Sequence, residues 1–262
     1  MKILYEFIPR KNFLELAEEI KDLLDGWNIT DSASGIPAPS AAAVACTLKT
    51  KYPEKLAFPM LITNYKGPVE VAAAAKACEA VGIDGMIPDP GDAPRYGHAI
   101  RTRKDGSCEL LTSKEEFENF RRSTGPAEEV REFLRDVAKV NDLKLGCLVT
   151  SRRPAADAIA RVKEPWDFSF FLRLDEQSLP KLKQVAAACK DLKKPLYPYF
   201  VVETPKNKKI LSRIGWTATA TMENALEFAG QLEGVGDGII ATCLRDSEGD
   251  KQLLKILQKV RS

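Results

Sequence analysis

Histidine is nearly absent from this sequence: His98 is the only one in 262 residues. That scarcity leaves no Ser-His-Asp arrangement to build and makes a histidine-based zinc centre a poor expectation. Cysteine offers no other route to a metal, because Cys46, Cys78, Cys108, Cys147, Cys189 and Cys243 are scattered and none forms a CxxC pair. Several stand inside apolar runs, as reduced core thiols do, so a reducing, cytoplasmic setting is expected. Neither sign of charge dominates. The 39 Lys+Arg against 37 Asp+Glu leave +2, which gives no ground for nucleic acid or an anionic membrane as a partner. No run of 18 apolar residues occurs, so no membrane-spanning helix is expected. The opening MKILYEFIPRK is broken by Glu6 and Pro9 and lacks the apolar core of a secretion signal. Phosphate loops of the GxGxxG or GxxxxGKS type are missing as well.

What the chain does have is rhythm. Short apolar runs alternate with amphipathic stretches. The strand candidates are Ile3–Ile8, Trp27–Ala33, Leu56–Asn64, Ile83–Pro88, Leu143–Ser151, Phe168–Leu174, Pro195–Glu203 and Gly238–Leu244. Helical spacing marks Phe13–Gly26, Ser40–Pro53, Pro68–Gly82, Ala127–Asp142, Ala156–Val162, Leu179–Leu192, Thr221–Gly236 and Lys251–Val260. End signals agree: Ser40 is an N-cap candidate, and Pro68 opens and Gly82 closes one segment. Parallel neighbours need a crossover helix, so the alternation predicts a parallel sheet. Eight units in 262 residues match a single (β/α)8 barrel, with a doubly wound sheet as the alternative. The whole chain is expected to form that one domain, with a polar excursion near 95–126 and no internal repeat.

In a barrel, chemistry collects at the C-terminal ends of the strands. The candidates there are Glu6 and Arg10; Thr30, Asp31 and Ser32; Thr63 and Asn64; Asp89 and Asp92; Thr150, Ser151, Arg152 and Arg153; Arg173, Asp175 and Gln177; Glu203 and Thr204; and Thr242, Arg245 and Asp246. Glu6 is the most unusual, since it interrupts the apolar ILYEFI. Desolvation raises a carboxyl pKa toward what a general acid needs at neutral pH; the competing reading is a structural ion pair with an arginine at another strand end. Asp89 and Asp92 lie in the stiff loop MIPDPGDAPRYGH, where metal ligation, hydrogen bonding to a cofactor and plain loop formation all remain open. Arg152 and Arg153 present the planar fork that suits a phosphate or carboxylate, or form a solvated surface pair.

Several fragments together are similar to the methylenetetrahydrofolate reductase family. YEFIPRK (Tyr5–Lys11) resembles its first-strand motif FEFFPPK, ITDSASG (Ile29–Gly35) its second-strand segment, and PMLIT (Pro59–Thr63) its third-strand PHLTC. AVGIDGMIPDPGDAP (Ala80–Pro94) resembles its fourth-strand loop, which ends in Gly-Asp, and FLRLDEQS (Phe171–Ser178) its sixth strand. The family's fifth-strand signature, with tyrosine, glutamate and histidine, is here CLVTSRRP. The resemblance implies a (β/α)8 oxidoreductase that reduces a pterin-bound methylene group to methyl. Hydride then comes from FADH2 or directly from NAD(P)H, and tetrahydrofolate or a related pterin carries the carbon. It implies Glu6 as proton donor and Asp92 as the charge beside the ring. Thr30, Asp31, Thr63, Gly91, Arg152 and Arg153 would hold cofactor, and Phe171, Arg173 and Glu203 substrate. A homo-oligomer or a complex with a redox partner subunit is the implied assembly. The alternatives on the same barrel are a folate-binding one-carbon methyltransferase and a non-catalytic partner protein.

Overall fold

Apolar runs bounded by turn residues become strands, and the stretches with helical spacing fold back over them as helices. The computed structural model describes residues 1–63, 66–91, 99–102, 108–111 and 126–260. The first half comprises β1 (Lys2–Phe7), α1 (Phe13–Ile20), β2 (Gly26–Ile29), α2 (Ala41–Lys51), β3 (Leu56–Ile62), α3 (Pro68–Ala80) and β4 (Ile87–Asp89). Within the expected polar excursion an antiparallel hairpin forms from β5 (Ala99–Thr102) and β6 (Cys108–Leu111). The second half runs α4 (Ala127–Glu132), β7 (Gly146–Thr150), α5 (Ala155–Lys163), β8 (Phe168–Leu172), α6 (Leu179–Asp191), β9 (Leu196–Glu203), α7 (Lys208–Ile214), β10 (Ala220–Thr221), α8 (Ala225–Gln231), β11 (Gly238–Thr242) and α9 (Ser247–Leu257).

The strands pair in the order β4-β3-β2-β1-β11-β9-β8-β7, all parallel, with the short β10 beside β9. The two ends of this row meet at their bases. Met86 pairs with Leu145 in a parallel bridge, its N–H donating to Lys144 O at 2.8 Å and its carbonyl accepting from Gly146 N at 2.9 Å. The result is a nearly closed (β/α)8 barrel, as the alternation predicts. Alternate residues of each strand split the core in two. Inside lie Leu4, Phe58, Ile87, Phe168, Phe170 and Tyr197, with Phe58 5.1 Å from Phe168 and 5.8 Å from Phe170 between ring centres. Outside, under the helices, lie Ile3, Tyr5, Phe7, Trp27 and their neighbours. Phe168 requires glycine on both sides. A Cβ at Gly85 or Gly146 would stand 2.5 or 2.4 Å from its ring.

Helix ends follow the chain's own signals, with instructive exceptions. Ser40 Oγ accepts from Ala43 N, and Pro68 occupies the first turn of α3. The expected start of the last helix at Lys251 moves back to Ser247, because Asp246 caps it, accepting from Gly249 N at 3.2 Å. The segment expected as one helix over Ala127–Asp142 is α4 followed by a π turn at Phe133–Val137.

One structural regularity recurs around the barrel. An aspartate directly precedes or nearly precedes every second barrel strand, and its Oδ2 accepts the N–H of the strand before. Asp25 takes Ile3 N at 2.7 Å, Asp84 takes Ala57 N at 2.9 Å, Asp167 takes Leu145 N at 2.7 Å and Asp237 takes Leu196 N at 2.9 Å. Asp25, Asp167 and Asp237 also donate their own N–H to the carbonyl of the same residue. Each therefore grips one residue at two points, supplying a partner where the staggered strand start has none.

Candidate active site

The C-terminal ends of the strands surround a cavity of about 750 Å³, with Leu148, Leu172, Met60 and Ile214 among its apolar walls. Glu6 faces into it from β1, 8% exposed. Burial pushes its carboxyl up from 4.5 to about 7; a hydrogen bond from Thr242 and the Arg245 charge pull the other way, and Asp250 adds to the rise. Its Oε2 is buried without a hydrogen-bond partner among the described residues. The Thr30 hydroxyl and the Trp216 indole N–H, which line the same cavity, are in that condition too. An unsatisfied buried polar atom costs free energy. Three of the five such atoms among the described residues belong to side chains that line this one cavity.

The surrounding groups are fixed by packing and hydrogen bonds. Tyr199 donates to Asn28 Oδ1, whose Nδ2 donates to Phe58 O at 3.0 Å. Burial, then the charges of Glu6 and Asp89, hold this phenol well above its ordinary value, so it stays protonated. The Tyr199 and Trp216 rings lie 6.1 Å apart, and the Arg173 guanidinium covers the Trp216 ring at 4.9 Å. Behind Glu6, Asp250 of α9 accepts from Tyr5 Oη at 2.7 Å and from Cys243 N at 2.6 Å. That buried carboxyl is raised to about 6, chiefly by desolvation.

Backbone conformation singles out the same end of the barrel. Six non-glycine residues among those described have positive φ, and four of them follow barrel strands: Ser32 (45°), Arg173 (62°), Leu244 (38°) and Arg245 (69°). Such geometry is costly for residues with a Cβ, and it concentrates where function constrains the chain.

The candidate residues separate into those the cavity gathers and those it does not. Glu6, Thr30, Asp31, Gly91 and Arg173 line it. Asp31 is buried, pairs with Lys66 and accepts from Ile62 N at 3.1 Å. Gly91 adopts φ 71°, and a Cβ there would meet Ile62 at 2.7 Å. Thr63 is buried behind the rim, donating to Asp89 O at 3.4 Å. Arg152 is not among the lining residues and donates to Gly215 O at 3.1 Å, Arg153 is exposed, and Glu203 pairs with Lys208 at 3.1 Å beside a separate groove. Phe171 faces the outer core beneath the helices. Asp92 and His98 lie outside the described residues. Among those described, no group of three or more histidine, cysteine or carboxylate side chains could hold a metal ion.

No family model matches the sequence, and no curated protein matches it. Solved structures match over nearly its whole length. They include a protein of Aquifex aeolicus VF5 (14% identity, 99% of this chain and 90% of that one, TM-score 0.58). A mutant tryptophan synthase α subunit of Pyrococcus furiosus matches at 11% identity, 98% of both chains and TM-score 0.54. Tryptophan synthase subunit α of Campylobacter jejuni matches at 13%, 97% and 94%, and 0.50. In fold, this chain is similar to tryptophan synthase α subunits.

That finding corrects the expected membership of the methylenetetrahydrofolate reductase family. With it go the folate-reducing oxidoreductase, the folate-binding methyltransferase and the basis for flavin and tetrahydrofolate as cofactors. The physical reason is dispersal. The fragments that carried the resemblance are short strand ends, and several residues expected to hold folate or cofactor do not converge: Phe171 is turned outward, Glu203 is tied to Lys208, and Arg152 to a loop carbonyl. Conversely, sequence reasoning missed Tyr199 and Trp216. The Tyr197-Tyr199-Val201 alternation in β9 is the signal that would have found the first. Trp216 follows a seven-residue helix, α7, that the apolar spacing does not announce.

Proposed function

We propose that this protein is an enzyme of lyase type, cleaving a carbon–carbon or carbon–oxygen bond of a small molecule by proton transfer through Glu6. One observation carries the reading: a carboxyl raised to about 7, with one oxygen unpartnered among the described residues, faces a cavity at the barrel mouth. At neutral pH both protonation states are populated, so Glu6 takes a proton from a substrate hydroxyl as its oxygen becomes a carbonyl and the adjacent carbon–carbon bond breaks, or takes a proton from carbon as the neighbouring carbon–oxygen bond breaks, and returns that proton to the departing carbon or oxygen. The likeness in fold to tryptophan synthase α subunits supports the reaction class. Tyr199 and Thr30 supply hydroxyls to orient the substrate, and the apolar wall excludes water from the proton in flight.

The test is a panel of small aldols and hydroxy acids, assayed for cleavage with the wild type and with Glu6→Gln. The wild type is expected to turn over at least one class, and the variant to lose about 10²–10⁴-fold while remaining folded. Cleavage of none by the wild type, or undiminished cleavage by the variant, overturns the reading.

A further inference from the structure

Apart from the barrel mouth, α2, which covers β2 and β3, and its neighbour α3 bring two cysteines together. α2 and α3 are alanine-rich (AAAVACTLKTK and PVEVAAAAKACEA), and small side chains let helix backbones approach closely. Cys46 of α2 and Cys78 of α3 stand in that contact, close enough for each thiol to shift the other's ionisation. Cys46 Sγ also lies 3.7 Å from Ala77 O, the residue beside Cys78. The two thiols differ in access: Cys46 is half-buried and Cys78 is 0% exposed. Both are free. Cys147, Cys189 and Cys243, the other free cysteines described, are all buried.

We propose that Cys46 and Cys78 form a peroxide-oxidisable pair, with Cys46 the attacking thiol and Cys78 the resolving one. The Cys46 thiolate attacks one oxygen of hydrogen peroxide; the O–O bond breaks, hydroxide leaves, and Cys46 becomes a sulfenic acid. The Cys78 sulfur then attacks the Cys46 sulfur. The S–O bond breaks, the hydroxyl leaves as water with the Cys78 proton, and a disulfide joins α2 to α3. In sum, two thiols lose two electrons and two protons, and one peroxide becomes two waters. Supporting electrostatics run the same way: the neighbouring Cys78 thiol lowers the Cys46 thiol, while Cys46 and then burial raise Cys78 and keep it protonated until it reacts. The loop the disulfide would close, residues 46–78, contains β3 and Lys66, the partner of Asp31 at the mouth. The inference stands on these helices alone and holds whatever the barrel mouth catalyses.

The test uses the full reduced chain, hydrogen peroxide in small excess, and peptide mapping by mass spectrometry. The expected product is a cross-linked peptide pair containing Cys46 and Cys78, lighter by two hydrogens and restored by dithiothreitol. In Cys78→Ala, a change of small volume, Cys46 should instead be trapped as a sulfenic acid by dimedone. Peroxide that labels Cys46 in the variant but leaves both thiols alkylatable in the wild type would overturn the pairing. So would a cross-link from Cys46 to any other cysteine.

Discussion

Glu6 sets two properties against each other. Its carboxyl ordinarily titrates at 4.5 and in the fold at about 7. As pH rises from 4.5 the unfolded chain releases this proton while the folded chain keeps it, so the fold loses stability up to about pH 7 and levels off above it. The full penalty is roughly 3 kcal/mol. Asp250, raised to about 6, acts in the same sense over a lower range. Glu6→Gln removes the Glu6 share. Urea unfolding of both proteins at pH 5 and pH 8 is expected to show the variant gaining on the wild type at the higher pH, while it loses activity. An unchanged difference between the two pH values would mean that Glu6 titrates normally. This residue was legible in the sequence because a charge inside an apolar strand has few explanations. Trp216 was not, because a loop aromatic carries no pattern until the fold shows what it faces.

At the scale of elements, the eight barrel strands were legible because each is a short apolar run between breakers, and their order followed from the crossovers. What escaped were pieces too short or too polar to have a period. The α7 segment KKILSRI is one, and the β5–β6 hairpin is another, its only advance notice the Asp105-Gly106 pair, a common turn signal. The aspartate clamps escaped for a different reason. Their repeat is one of position relative to a strand start, and three of the four are Asp-Gly pairs (Asp25-Gly26, Asp84-Gly85 and Asp237-Gly238, beside Asp167-Phe168), which read as ordinary turn signals. Removing one carboxylate leaves a strand N–H without its acceptor, at a cost of about 1–2 kcal/mol. Asp237→Ala is therefore expected to lower the denaturant midpoint, with Asp237→Asn, which keeps an acceptor oxygen, in between. Equal midpoints for the alanine variant and the wild type would show that the clamp contributes nothing.

For the whole molecule, the decisive feature is how the wall closes. Seven strand junctions are ladders, whereas β4 and β7 are joined among the described residues by the single bridge at Met86 and Leu145. Native-state hydrogen exchange should register this, with the Met86 and Gly146 amides exchanging about tenfold or more faster than those of Tyr5 and Ile240 in the central strands. Uniform protection around the ring would contradict it. No helix among the described residues is long and apolar enough to cross a membrane. The core is instead wrapped around an axis that opens at one end. A sleeve fastened only at the hem can widen at the rim without coming apart. Spreading β4 from β7 above this bridge leaves its two hydrogen bonds, the clamped base, and Phe168 between its two glycines in place. Among the described residues, the seam between β4 and β7 is thus where this barrel has least to lose by giving way.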